Sequence, residues 1–509
     1  MNERGDVLTE EAELKTPEIG SKGLKGGALG FLSNVVIGVA STAPGYSLAA
    51  TLGFVAAVVG TQSPAVLWLA FVPMLFIAAA YYYMNKADPD CGTTFTWVTK
   101  AMGPRLGWLG GWAIVVSDVI VMANLAQIAG LYTFLLLGWQ NAANSVFAVT
   151  LIGVVWIALL TAICVIGIEL SARTQFLLLG MEILTLGIFA VAALVEVFTG
   201  TASAGAITPS LSWLNPFAIT DWGALNSGLI LAIFIYWGWD TTVTVNEESE
   251  NSDRTPGLAA LVSTVVLLAI YVIVAIAAQA YAGVPFLVAN QNDVLSSLGT
   301  QVLGFPFDKL LIIAVLTSAA ASTQTTILPT ARTTLSMARY EAIPEEFGKV
   351  HPRYLTPHIS TIWMGTLSIV WYVGLTLISQ NILYDSLSAL GLMIAFYYGL
   401  TGFACAIYYR HELTKSVKNF VLVGVAPVVG GLILTWALIQ QVITLSNPAE
   451  AYTGAIFGLG APLVIAIASL LLGIVLMLWM EYVNPTFFHR HTQTSEPGFL
   501  GERGRPRKR

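Results

Sequence analysis

Residues 31–60 read FLSNVVIGVASTAPGYSLAATLGFVAAVVG, and this stretch decides the fold class. It carries no charge and is longer than the roughly 20 apolar residues that a helix needs to cross a bilayer. The helix is nevertheless interrupted at its middle by Ser41-Thr42-Ala43-Pro44-Gly45, where Pro44 lacks an N–H donor and Gly45 frees the backbone. Non-helical backbone at membrane depth survives only where it is buried in protein or lines a wet cavity. The sequence therefore predicts a broken membrane helix at a functional site.

Composition places the rest of the chain in a bilayer as well. Of the 509 residues, 56% are hydrophobic and only 10% are charged, whereas soluble domains carry about 25% charged residues. Uncharged stretches long enough to span the hydrocarbon core recur from end to end. We predict an all-α integral membrane protein with twelve transmembrane helices, at 28–60, 64–84, 106–137, 144–166, 172–198, 223–245, 257–280, 307–336, 359–379, 383–409, 419–441 and 458–480.

The basic residues are concentrated in the two tails and in every second loop between the predicted spans. Lys and Arg are retained on the cytoplasmic side during insertion, and with twelve spans only Lys309, of the 23 basic residues, falls on the outer side. This predicts a multi-pass protein of a cell (inner) membrane with both termini cytoplasmic. The lipid bilayer is then its surroundings, and nucleic acid is excluded as a partner. The sequence does not indicate an oligomeric state.

The chain divides into four predicted parts. Residues 1–27 form a cytoplasmic N-terminal tail, 28–410 a core of ten helices, 411–482 helices 11 and 12, and 483–509 a basic cytoplasmic tail. Both tails are polar and charged, so we expect them to be mobile.

A second break matches the first. Span 6 is interrupted at Tyr236-Trp237-Gly238-Trp239-Asp240, and spans 1 and 6 begin two blocks of five helices. Because five is odd, the second block is inverted relative to the first. Inverted-repeat transporters bind their solute at such paired breaks.

Several short motifs then follow in order along the chain. They are Asp88-Pro89-Asp90-Cys91-Gly92-Thr93-Thr94-Phe95 with Gly103-Pro104 and Gly110-Gly111-Trp112, Leu170-Ser171-Ala172-Arg173-Thr174-Gln175, Gly238-Trp239-Asp240 with Glu247-Glu248, and Arg332 to Arg339 with Ile343-Pro344 and Thr356-Pro357. Together they resemble the amino acid, polyamine and organocation (APC) permease superfamily, which has the LeuT-like fold. The resemblance extends over about residues 28–410.

The resemblance implies that helices 1 and 6 cradle the solute. Amide groups of the first break would bind a carboxylate and carbonyl groups of the second an ammonium, as expected from the positive and negative ends of half-helices. The predicted substrate-binding residues are Ser41, Thr42, Ala43, Gly45, Tyr46, Tyr236, Trp237, Gly238 and Asp240. Pro44 departs from the family pattern and offers no N–H.

Three acids lie deep in predicted spans with no base at similar depth. They are Asp118, Glu182 and Asp240, and intramembrane acids are functional candidates because burying them is costly. By the resemblance, Glu182 stands where proton-coupled relatives often carry a lysine. We expect Glu182 and Asp118 to couple transport to protons. The acids favour a cationic solute such as a polyamine or a basic amino acid.

Two alternatives to proton coupling stay open. The Glu182 carboxylate could hold Na⁺ together with Ser322, Thr323 and backbone oxygens of span 1, or the protein could exchange solutes without a coupling ion. No other cofactor is expected. Cys91, Cys164 and Cys405 lack the spacing of a metal site.

A gate is predicted at the cytoplasmic mouth. Glu247 or Glu248 would pair with Arg173 or Arg332 when the inside is closed. The prediction as a whole is a secondary active transporter that imports amino acids or related amines by alternating access. A membrane enzyme or sensor is disfavoured because no catalytic motif is present, and a channel because a continuous ring-lined pore is not suggested.

Overall fold

Helices make up most of the chain, since a helix satisfies all its backbone hydrogen bonds within one apolar segment. The computed structural model describes residues 22–291 and 293–490. Its α-helices are α1 (Phe31–Ser41), α2 (Pro44–Val59), α3 (Ser63–Ala87), α4 (Thr94–Met102), α5 (Pro104–Leu137), α6 (Gln140–Ala143), α7 (Val146–Ile166), α8 (Ile168–Thr199), α9 (Trp222–Phe234), α10 (Thr241–Thr244), α11 (Thr255–Ala289), α12 (Val294–Val302), α13 (Lys309–Arg339), α14 (His358–Ile378), α15 (Gln380–Tyr408), α16 (Val417–Asn419), α17 (Ala426–Ser446), α18 (Ala461–Val483) and α19 (Thr486–Arg490).

Short elements complete the chain. The two-residue strands β1 (Ala455–Ile456) and β2 (Leu459–Gly460) pair antiparallel. Residues Phe420–Val425 form a π-helical segment. The 3₁₀ turns are Gly60–Gln62, Leu211–Leu214, Pro216–Ala218, Asn246–Glu248, Glu345–Gly348, Leu413–Lys415 and Pro448–Glu450.

Ten stretches among the described residues are long and apolar enough to cross a membrane. One of them, Phe31–Ala87, joins α1, α2 and α3 and so contains the first two of the twelve predicted spans. The predicted sixth span appears as α9, which is a shorter apolar helix. The all-α membrane class is therefore confirmed, whereas the count of twelve stays a prediction.

The two helix breaks are where the sequence predicts them. α1 ends at Ser41 and α2 begins at Pro44, so the first break is shorter than expected. Ala43 has a left-handed φ of 47°, which turns the chain between the half-helices. Pro44 and Gly45 belong to the first turn of α2, because the missing N–H and fixed φ of proline suit the first helical position.

α5 and α13 form the centre of the bundle. They pack against each other, and 83% of the most apolar stretch of each helix is buried inside the protein, compared with 28% for α18. α1 packs on α11 and α8, and α2 packs on α11 and α9. The broken helix therefore lies among the other helices and not at the lipid-facing surface.

Small residues allow the helices to approach closely. An added Cβ at Gly130 of α5 would lie 2.3 Å from the carbonyl oxygen of Val149 in α7. At Gly180 of α8, by contrast, nothing lies within 4 Å. A change from glycine to alanine would therefore meet close-packed backbone at Gly130 and open space at Gly180.

We predict that Gly130→Ala destabilises the protein by about 1–3 kcal/mol, because the methyl group meets backbone that cannot rotate away. Gly180→Ala leaves stability unchanged or slightly raised, since alanine favours helix over glycine. Thermal unfolding of both purified variants in detergent measures this difference. Equal midpoints for the two variants would contradict the close packing of α5 on α7.

Candidate functional site

The first break leaves few backbone groups without a partner. The N–H groups of Thr42 and Ala43 donate to the carbonyls of Val39 and Ala40 at 3.2 Å each. The Ser41 carbonyl accepts from the Ser322 hydroxyl of α13 at 2.8 Å. α13 therefore supports the end of α1 directly.

The N-terminus of α2 is closed by the protein's own side chains. The Gly45 N–H donates to Glu182 Oε1 of α8 at 2.7 Å, and the Tyr46 N–H donates to Ser318 Oγ of α13 at 3.1 Å. The preceding Pro44 has no N–H, and the Ser47 N–H is bonded to the Ala43 carbonyl. The anion-binding position at this helix start is thus filled by Glu182.

Glu182 is fully buried at this position. Its second oxygen, Oε2, has no hydrogen-bond partner among the described residues. A buried carboxylate oxygen without a partner is costly. The Oε2 atom is therefore a place where a proton or cation would be stabilised.

The second break lies directly against the first. Gly238 has a φ of 119°, and an added Cβ there would come within 2.7 Å of the Ser41 carbonyl oxygen. The hydroxyls of Ser41 and Thr241 are 2.8 Å apart. Only glycine fits this approach of one backbone to the other.

The Asp240 side chain is surrounded by aromatic residues. Its two carboxylate oxygens accept from the hydroxyls of Tyr397 and Tyr398 in α15, at 3.2 and 2.8 Å. Tyr81 meets both Trp239 and Tyr398 edge to face, with ring centroids 5.2 and 5.8 Å apart. A carboxylate framed by aromatic faces suits an organic ammonium group.

The other substrate-site residues of the second break point to different neighbours. The Trp237 indole N–H donates to the Tyr397 hydroxyl. The Tyr236 hydroxyl donates to the Leu67 carbonyl in α3 at 3.0 Å, so this side chain faces α3. In the first break, the Tyr46 hydroxyl donates to Asn124 of α5.

Asp118 is held by α13 and not by either break. It is buried in α5 and accepts a hydrogen bond of 2.6 Å from Thr330 of α13. Within the part of the chain that the structure describes, none of Asp118, Glu182 and Asp240 has a basic partner within ion-pair distance.

The predicted sodium ligands make other contacts. Ser322 donates to the Ser41 carbonyl, and Thr323 donates to the Ala319 carbonyl of its own helix at 2.7 Å. Neither hydroxyl is bonded to Glu182 in this conformation.

The mouth holds one of the predicted gate pairs. Arg332 Nε and Nη2 donate to the two oxygens of Glu248 at 2.6 and 2.9 Å. Both side chains are almost fully buried. Arg173 is exposed, and in the described part of the chain no carboxylate lies within ion-pair distance of it.

Glu247 pairs with a residue that sequence reasoning missed. Lys22 contacts Glu247 and, at 2.9 Å, Asp90 in the loop after α3. Asp90, Cys91 and Glu247 approach as metal ligands would, but the Lys22 ammonium supplies the positive charge there. Burial alone would lower the pKa of Lys22, yet Asp90 and Glu247 raise it well above its ordinary value.

The N-terminal segment is ordered by these contacts. Leu24 is fully buried beside Cys91 and Leu335, and the Ala28 and Leu29 N–H groups both donate to the Glu248 carbonyl. The expected mobility of the two tails is therefore wrong for residues 22–27, and also for Thr486–Arg490, where Phe487 and Phe488 are buried. Residues 1–21 and 491–509 lie outside the described part. A lysine in a polar tail gives no local signal that it will be buried between two distant acids.

We predict that Lys22→Gln lowers the free energy of unfolding by about 3–5 kcal/mol, because it leaves Asp90 and Glu247 buried without a cation. Lys25→Gln is the control, since Lys25 and its partner Glu169 are partly exposed, and such pairs contribute about 0–1 kcal/mol. Unfolding of both variants in detergent measures the difference. Equal effects would contradict the burial of Lys22.

The pH dependence of that difference follows from two shifted groups. Burial would raise the pKa of Asp90, but Lys22 and bonds from Tyr340 and Gly92 hold it below its ordinary range. The stabilisation is lost as the pH falls through the lowered pKa of Asp90 or rises through the raised pKa of Lys22. We therefore expect a constant contribution of this cluster in the wild type from about pH 5 to pH 9, whereas Lys22→Gln should become less unstable as the pH falls and its two buried acids take up protons.

Comparison with known proteins agrees with this architecture. The family profile described as amino acid permease matches residues 28–461. An uncharacterized transporter of Mycobacterium tuberculosis is 28% identical over 340 residues, which are 67% of this chain and 72% of the relative.

Two further relatives have more specific names. The low-affinity putrescine importer PlaP of Escherichia coli K12 is 20% identical over 401 residues, 78% of this chain and 85% of the relative. The branched-chain amino acid permease BcaP of Bacillus subtilis is 23% identical over 318 residues, 59% of this chain and 64% of the relative. These findings confirm the resemblance to the APC superfamily and indicate a transporter and not an enzyme. The chain belongs to the amino acid permease family, and it is a membrane transporter for amino acids or related amines.

Proposed function

We propose that this permease imports a cationic, amino-group-bearing solute by alternating access and couples that import to protons. The observation that carries the proposal is the contact between two broken helices beside buried carboxylates that have no basic partner among residues 22–291 and 293–490. A cation entering this region would neutralise charge that the protein leaves uncompensated. The names of two relatives, a putrescine importer and the vacuolar cationic amino acid transporter 4 of Arabidopsis thaliana, are in keeping with such a solute.

The proposed architecture has twelve spans in a cell (inner) membrane, with both termini on the cytoplasmic side. Residues 28–410 would form two inverted five-helix repeats, 411–482 helices 11 and 12, and 1–27 and 483–509 the terminal segments. The joined stretch Phe31–Ala87 and the short helix α9 support this count, because each repeat then begins with a broken helix. Lys309 alone on the outer side supports the orientation.

Asp240 is the proposed contact for the ammonium group. Its carboxylate lies at the second break, in the stretch between the end of α9 and the start of α10. The Tyr81, Trp239 and Tyr398 rings beside it add attraction for a cation. Tyr397 and Tyr398 orient the carboxylate by donating to both its oxygens.

Glu182 is the proposed proton carrier. A proton on Oε2 would neutralise a buried charge without disturbing the bond from Gly45 to Oε1. A proton is the proposed coupling ion rather than Na⁺, because Oε2 offers a single unpartnered buried oxygen among the described residues and neither Ser322 nor Thr323 is bonded to Glu182. Asp118 is a second proposed proton site, nearer to the mouth through its partner Thr330.

Alternating access requires the cytoplasmic mouth to open. Arg332 and Glu248 are the proposed inner gate, because they join α13 to the turn that follows the second break. Lys22 and Glu247 form a second ion pair beside it, which we propose also closes the mouth. Arg173, which is exposed, has no assigned part in the closed gate.

The test is uptake by proteoliposomes of radiolabelled putrescine and of basic, neutral and acidic amino acids, with the membrane potential held at zero. An inward proton gradient of one pH unit allows about tenfold accumulation if one proton enters with each solute. We expect gradient-driven uptake in the wild type and its loss in Glu182→Gln. Glu196→Gln, on the same helix, should behave as the wild type.

Two results would contradict the proposal. Accumulation that ignores the pH gradient but follows a sodium gradient would replace the proton by Na⁺. Exchange that needs solute on both sides, and is equal in wild type and Glu182→Gln, would remove coupling altogether. Counterflow by preloaded vesicles separates this carrier from a pore, because only a carrier accelerates uptake when solute is present on the other side.

A further inference from the structure

The start of α2 is the place where an amino acid's carboxylate would be bound, and it is already occupied. Three successive positions there offer nothing to an anion. Pro44 has no N–H, the Gly45 N–H is bonded to Glu182, and the Tyr46 N–H is bonded to Ser318. The next N–H, of Ser47, is bonded to the Ala43 carbonyl.

The groups that fill this helix start come from three separate elements. Glu182 lies in α8, Ser318 in α13, and Pro44 is part of α2 itself. Gly45 allows this approach because it has no side chain. A Cβ at this position would lie 3.3 Å from Glu182 Oε1, which is a tight contact. Glu182 is fully buried and its Oε2 is unpartnered among the described residues. These contacts hold the protein's own carboxylate at the helix start.

We infer that Glu182 serves as a built-in carboxylate, so that the permease selects amines that lack an α-carboxylate over the amino acids from which they differ by that group. This rests on the proposed function, whose solute class it narrows. A free α-carboxylate would have to displace Glu182 from Gly45 and Ser318 from Tyr46, whether or not Oε2 carries a proton. A charge-assisted hydrogen bond of this kind accounts for discrimination of about tenfold or more.

The rest of the site agrees with an amine. Asp240 and the surrounding rings offer an ammonium group a counter-charge and aromatic faces. Asp118 is a further buried carboxylate without a basic partner in the described part of the chain. A solute with two ammonium groups and no carboxylate would compensate more of this charge than a zwitterion could.

The experiment compares solutes in pairs that differ by one carboxylate: putrescine with ornithine, cadaverine with lysine, and agmatine with arginine. Initial rates of downhill uptake, without a pH gradient and so without a need for proton coupling, are measured in proteoliposomes of the wild type, Glu182→Ala and Glu196→Ala. We expect the wild type to prefer each amine by about tenfold or more. Glu182→Ala frees the Gly45 N–H and should reduce that preference by at least about tenfold, whereas Glu196→Ala should keep it.

The outcomes separate this inference from the proposed function. Equal or better uptake of the amino acids by the wild type would overturn the inference and leave amine or amino acid transport standing. Failure of the well-folded wild type to take up any of the six solutes would contradict the proposed function and the inference with it. If Glu182→Ala does not fold, Glu182→Gln is measured under the same gradient-free conditions: its amide oxygen can still accept from Gly45, so it should keep the preference for amines, and loss of that preference would overturn the assignment to this hydrogen bond.

Discussion

The structure depends on how a broken helix satisfies its backbone away from water. Each break in a membrane helix releases N–H and C=O groups that cost several kcal/mol when unpaired. At the first break these groups are paired with Glu182, Ser318 and Ser322 from two other helices. Because the partners come from α8 and α13, the break fixes the positions of those two helices relative to α1 and α2.

The same requirement explains why polar residues concentrate in α13. This helix is almost wholly buried, yet its middle is rich in Ser and Thr. Several of these hydroxyls donate to carbonyls of their own helix, as Thr323 does, while Ser322 reaches across to the end of α1. α13 thus acts as the wall against which the broken helix is held. A more apolar α13 would leave the Ser41 carbonyl without its partner.

Sequence patterns predicted the features that are local in the chain. Pro44 and Gly238 mark both breaks, since their effects on the backbone depend on nothing else. The lengths of the apolar stretches likewise predict where the long helices lie. The exception is the predicted span 223–245, which is divided into the shorter helices α9 and α10.

What the sequence could not predict is pairing between distant residues. Lys22 stands in a polar segment, and its two partners are far away along the chain. Tyr397 and Tyr398 lie in an apolar helix where tyrosine is unremarkable, yet they hold Asp240. The sequence indicates four candidate gate residues, which are Arg173, Glu247, Glu248 and Arg332. Only the fold distinguishes the buried Arg332 from the exposed Arg173. The occupied start of α2 also depends on the fold, because the sequence places Glu182 and Gly45 in different helices.

Buried ion pairs at the mouth suit a gate for an energetic reason. The Arg332–Glu248 pair pays a large desolvation cost that its Coulomb attraction roughly offsets. In the proposed opening of the mouth, both partners would become hydrated together, so the pair would separate at far lower cost than removal of one partner would impose. The N-terminal segment is bonded to the Glu248 carbonyl through Ala28 and Leu29, and Lys22 joins Glu247 to Asp90. Movement of the turn at 246–248 must therefore either carry residues 22–29 with it or detach them, which makes the N-terminal segment part of the energetics of opening.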